Sequence, residues 1–109
     1  MASYIEELHV GDIGTIVRAT ISDTGSDGTK SVLNVSGALT KELIFRKPDG
    51  SKLTKTAIYT TNGTDGKIQY VTQSGDLDTA GSWNLQAYIV TPSGTWYSSI
   101  GSFKVYENL

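Results

Sequence analysis

The chain has 109 residues, a net charge of −2 and no cysteine. That length suits one domain with one core, and the missing thiols exclude disulfides and thiolate metal sites. Hydrophobic residues make up 38% and charged residues 18%, which excludes a disordered chain, while the longest apolar runs, LIF and AYIV, are far too short for a membrane helix. Neither sign of charge forms a block, so nothing points to nucleic acid or membrane as a partner. Lys41, Arg46, Lys47, Lys52 and Lys55 are interleaved with Glu42 and Asp49 and read as a solvated hairpin face. The first ten residues, MASYIEELHV, carry no basic region and no long apolar run, the pattern of a chain without a secretory signal.

Alternation with period two dominates, and no window holds the spacing of an amphipathic helix. Residues 1–10 read as an N-terminal arm or extra strand ahead of a β-domain at 11–109. Thr15, Val17, Ala19 and Ile21 alternate with Ile16, Arg18 and Thr20 in a first confident strand. SDTGSDGTKS (22–31) is a polar turn, and VLNVSGA a short irregular strand. In LTKELIFRK, Leu39, Lys41, Leu43 and Phe45 share one face; Leu43 and Phe45 are placed inward, with Ile44 partly covered. KPDGS (47–51) is a strong turn, since proline presets φ and glycine accepts a positive one. LTKTAIYT (53–60) is the returning strand. TNGTDGK (61–67) turns again, and IQYVT sends Ile68, Tyr70 and Thr72 one way.

The stretch GDLDTAGSWNLQAYIV (75–90) is the most informative. Trp83, Leu85, Ala87 and Ile89 line one face and Asn84, Gln86 and Tyr88 the other. TPSGT (91–95) turns the chain into WYSSIGSFKVYENL, where Phe103 and Val105 point inward. Counting back by twos places Tyr97 inward and Trp96 outward; a bulge near Ile100-Gly101 reverses that, because one extra residue exchanges the faces. The total is about seven strands, 8–12 residues apart, joined by short turns, which predicts an all-β antiparallel sandwich or barrel.

The order Asp, two residues, Gly, one residue, aromatic refines this to an immunoglobulin-like sandwich. In that fold the chain crosses between sheets just before its sixth strand, and an aromatic enters the core two residues ahead of the position that holds cysteine in antibody domains. Asp76 or Asp78 would cap the turn, Gly81 would supply the backbone conformation, Trp83 would be the aromatic, and Leu85 would stand at the cysteine position. Phe45 falls near the third-strand tryptophan. The expected core is Trp83, Leu85, Phe45, Leu43, Phe103 and Val105.

Chemistry is hard to find. His9 is the only histidine, and no nucleophile-elbow sequence accompanies it. The Gly-rich loops with Asp23 and Asp27, and with Asn62 and Asp65, offer too few acidic ligands for calcium. No phosphate loop is spelled out. No catalytic residue, metal site or cofactor is therefore expected. The remaining candidates form an association surface: Tyr4, Ile5 and Leu8 in the arm, and Tyr88, Trp96, Tyr97 and Tyr106 as outward aromatics. Such rings carry much contact area and suit either a neighbouring subunit or a sugar.

HVGDIGTIVRATI (9–21), VSGA (35–38), IFRKPDGSKLTKTA (44–57), TDGKIQY (64–70) and DLDTAGSWNLQAYI (76–89) together resemble the immunoglobulin-like domains of tailed-bacteriophage virion proteins, in particular the N-terminal domain family of phage baseplate upper proteins. The resemblance spans about residues 9–105. It implies a non-enzymatic structural protein of the virion, made in the host cytoplasm and working in the tail or baseplate through contacts with other virion proteins, in a homo-oligomer or other symmetric assembly. In that family the domain is the front of a longer, receptor-binding protein, whereas this chain stops at VYENL, which implies a free-standing module. A capsid decoration or neck protein is the first alternative, and a carbohydrate-binding module for host surface glycans the second. The arm SYIEELHV (3–10) is expected to pair with the exposed sheet edge of a neighbouring chain.

Overall fold

The computed structural model describes residues 8–24, 28, 30–98 and 100–108. Among them every regular element is a strand. In chain order these are β1 (Leu8–His9), β2 (Ile16–Thr20), β3 (Ser22–Thr24), β4 (Lys30–Val32), β5 (Thr40–Arg46), β6 (Lys52–Thr56), β7 (Ile58–Tyr59), β8 (Lys67–Val71), β9 (Gly81–Thr91), β10 (Gly94–Tyr97) and β11 (Gly101–Tyr106). A six-stranded sheet runs β1-β11-β9-β5-β6, with β10 also on β9. A three-stranded sheet runs β2-β8-β7, and β3-β4 form a separate hairpin. Every pairing is antiparallel except β1 with β11.

The alternation of the sequence becomes the alternation of burial. Leu43 and Phe45 on β5, Trp83, Leu85, Ala87 and Ile89 on β9, and Val105 on β11 are buried from the large sheet. Val17 and Ala19 on β2, with Ile68 and Tyr70 on β8, are buried from the small one. All belong to one cluster, and the rings of Phe45 and Tyr70, one from each sheet, meet edge-on at 6.1 Å between centroids. The two sheets thus share a single core between them. Phe103 is partly buried and packs against the rim of this cluster.

Four segments differ from their sequence reading. LTKTAIYT is two strands, not one: the chain leaves the large sheet after Thr56, buries Ala57, and joins the small sheet as β7. The polar stretch at 22–31 contributes both arms of the β3-β4 hairpin, with Ser22 opposite Val32. Leu39 precedes β5 and is 73% exposed, because the alternating face begins only where the ladder does. The last strand is broken in two. Tyr97 opposes Tyr88, yet Gly101 opposes Leu85, so β10 to β11 contains one residue more than the facing strand. This bulge settles the open question of faces. Trp96 lies opposite Ile89 and packs against the core, while Tyr97 is 58% exposed. Ser98 repairs the gap: its amide donates to the Ala87 carbonyl at 3.0 Å, and its hydroxyl accepts from the Ala87 amide at 2.8 Å.

Gly81 opens β9 with φ of +130°, a conformation that residues with a Cβ rarely adopt. A Cβ there would also lie 2.8 Å from Cγ of Pro48. Gly81→Ala is expected to cost about 1–3 kcal/mol in backbone strain alone, read as a lower urea midpoint at unchanged slope; a midpoint equal to the parent's would contradict this placement.

Candidate functional site

The crossing that leads into β9 is tied by two polar arrangements. In the first, the Trp83 indole N–H donates to the Thr79 carbonyl at 2.9 Å. The ring stacks on Phe103 at 5.8 Å and meets Phe45 edge-on at 6.5 Å. Lys47 reaches over the indole and pairs with Asp78 at 3.0 Å, which together with the Thr79 hydroxyl fixes the turn. The lysine, with help from the Thr79 hydroxyl, holds the Asp78 carboxyl below its ordinary value against the opposing effect of burial.

The second arrangement is buried. Asp76 is 5% exposed and its Oδ2 accepts from the Tyr70 hydroxyl at 2.5 Å and from the Gln73 amide at 2.7 Å. Its Oδ1 faces the Lys55 ammonium at 3.3 Å. Burial pushes the Asp76 carboxyl up, but the hydrogen bonds from Tyr70, Gln73 and Lys55 outweigh it and the group ends below its ordinary value. Burial, reinforced by the carboxylate it donates to, pushes the Tyr70 phenol up to about 12. Every donor points at the carboxylate from within the fold, so the arrangement is a clasp between β8, β6 and the turn before β9. The spacing of Asp76 from Trp83 gave a capping role for the aspartate, but Tyr70 and Lys55 carry no signal in sequence, because neither lies in the turn.

The other candidates are turns with their own bonds. Asn62 accepts from the Thr64 amide and hydroxyl, and Asp65 from the Lys67 amide. Asp27 lies outside the described residues. His9 sits on β1 beside the Tyr106 ring, 5.9 Å between centroids. Among the described residues no three His, Cys, Asp or Glu side chains gather as a metal site would require.

Of the expected association residues, Tyr4 and Ile5 lie outside the described residues. Leu8 belongs to the core, 2% exposed, and pairs in parallel with Val105 of its own chain; as part of an outward arm it is corrected, because the edge of β11 takes it in. Trp96 is likewise corrected to the inner face. Tyr88 and Tyr97 do share the outer face of the large sheet, their rings 4.9 Å apart. Tyr106 is exposed at the sheet's far end, under Lys104. Beside Tyr97 that face holds a shallow groove of about 230 Å³, lined by Ile44, Arg46, Lys52, Asn84, Gln86 and Ile100 among others. This surface combines aromatic, aliphatic and charged groups; alternation already sets Ile44 and Arg46 on the outer side of β5, but sequence could not join Ile100 to them, because the bulge decides which face the last strand presents. Comparison of the chain with protein-family models, with curated proteins and with solved structures finds no match.

Proposed function

We propose that this chain is a non-enzymatic structural protein of a tailed-bacteriophage virion, an immunoglobulin-like module of the tail or baseplate that works through protein contacts. The strand order supports the immunoglobulin-like part of this reading. Variable-type immunoglobulin domains place strands C′, C, F and G in one sheet and B, E and D in the other. The orders β6-β5-β9-β11 and β2-β8-β7 agree with that arrangement, with β1 added beside β11. The Trp83 indole bonding to a carbonyl four residues upstream stands in for the tyrosine corner of such domains, at the same place in the sixth strand. The resemblance of the sequence motifs to phage baseplate domains supports the virion role. Capsid decoration or neck placement uses the same fold and contacts.

Mass spectrometry of purified particles tests the proposal. The expected result is this chain in a fixed copy number per particle; its absence from particles that carry the other tail proteins would overturn it. A second reading, a module for host surface glycans, is favoured by one observation: exposed Tyr97 beside the side-chain amides of Asn84 and Gln86. A glycan array separates the two. Binding abolished by Tyr97→Ala supports the sugar reading, and hydrolytic turnover of any array sugar would sink both.

A further inference from the structure

We infer that the outer face of the large sheet is the contact between two copies of this chain, related by a two-fold axis that crosses β5 at Ile44. This rests on the reading that the domain works through protein contacts, and it names the partner.

The argument begins with two charges. Glu42 and Arg46 both point outward from β5, two residues either side of Ile44. Neither makes an ion pair among the described residues. Four residues of strand hold them about 14 Å apart, too far to neutralise one another. Arg46 is nonetheless held in place: with its amide oxygen turned toward the guanidinium, Asn84 accepts from Arg46 at 2.8 Å. A two-fold interface brings residue i of one copy to residue j of the other and j to i. An axis lying across the strands at Ile44 sets Glu42 against Arg46 of the second copy, and Arg46 against Glu42. An axis along the strands would set like charges against each other. The charge pattern therefore selects one of the two face-to-face arrangements.

The surrounding side chains obey the same operation. Ile44 is level with Gln86 on β9, so this central row meets its own image. On one side of the row stands the stacked pair Tyr88 and Tyr97. On the other, the groove extends over Arg46, Lys52 and Asn84. Rotation lays the tyrosine ridge of each copy over the Asn84 end of the groove in the other. Ile100, 62% exposed beside the groove, is covered in the process. Aromatic and arginine side chains flanking the central Ile44 row, with Lys52 at its margin, match the enrichment of such rings and of arginine in protein contacts.

Purified full-length protein is examined by analytical ultracentrifugation from low micromolar to near-millimolar concentration, with thermal melts confirming that each variant folds. Wild type is expected to show a concentration-dependent dimer that weakens with salt. Glu42→Arg and Arg46→Glu, each alone, should raise the dissociation constant about tenfold or more, because each sets like charges together. An equimolar mixture of these two variants should associate again, since each face then meets its opposite, and the combined charge swap should return to within about threefold of wild type. A wild type that stays monomeric throughout, single variants that dimerise unchanged, or a mixture that fails to associate would each overturn the inference. So would a glycan or a different virion protein seated on this face. A monomer found in virus particles sinks this inference and leaves the virion proposal standing; a charge-swappable dimer absent from particles does the reverse.

Discussion

Trp83→Ala is expected to remove about 3–5 kcal/mol of stability, the usual cost of deleting a large buried aromatic. Domains of this size are stable by about 5–15 kcal/mol in total, so the variant would sit near the edge of folding. The cost has three sources. The indole is fully buried between Phe45 and Phe103, its loss leaves a cavity between the sheets, and the Thr79 carbonyl loses its donor. Trp83→Phe separates them: it keeps most of the stacking and removes only the N–H, and should cost clearly less than the alanine. Chemical denaturation of both variants, followed by far-ultraviolet circular dichroism, gives the comparison. A melting point within a degree or two of wild type for Trp83→Ala would show that the ring does not hold the sheets together.

Removing the Asp76 carboxylate should be the next most damaging change. In Asp76→Ala the buried Tyr70 hydroxyl loses its acceptor, at about 1–3 kcal/mol for a buried group left unpaired, while the amide of Gln73, on an exposed residue, loses its bond to the carboxylate at lower cost. Lys55 is partly exposed and regains water, so it adds little. Tyr70→Phe, which leaves the carboxylate two of its three partners, should cost only about 1 kcal/mol.

The same clasp sets a pH dependence. The folded-state pKa of Asp76 is depressed below 3.8, so its contribution is complete above the unfolded value and is lost as pH falls through the folded one. Tyr70 has the opposite sign. Its folded pKa is raised from 10.0 to about 12, so its contribution is complete below pH 10 and is lost as the solution rises toward 12. Unfolding free energy measured across pH should fall at both ends. In Asp76→Asn the acid slope should flatten; an unchanged acid slope would mean that other carboxylates carry it, with Asp78 the first to examine.

The parts of this fold legible in sequence are those governed by a single local rule. Strict alternation placed Leu43, Phe45, Trp83, Leu85 and Val105 inward, since on a pleated strand the side of one residue dictates the side of the next. Turns with glycine and proline marked where strands end. What escaped depends on contacts between distant segments. Nothing near Leu8 announces that it will pair in parallel with Val105. The crossing at Ala57 leaves the apparent strand LTKTAIYT unbroken in pattern, because both of its halves alternate. The bulge before β11 is repaired by a serine hydroxyl, and Ser98 is indistinguishable in sequence from its serine neighbour. That one-residue offset is also why the association surface was only half visible. It turns Trp96 in and Tyr97 out, and so decides which aromatic is offered to a partner.

The parallel pairing of β1 with β11 has a mechanical consequence. The Val10 amide donates to the Tyr106 carbonyl, and the Asn108 side chain to the Val10 carbonyl, so the outermost segments of the domain lie side by side and run the same way. Tension drawn from one end of the molecule to the other would slide them past each other lengthwise. Their bonds would resist together, not peel apart in turn, and the module would transmit a pull with little extension until the strap sheared as a unit.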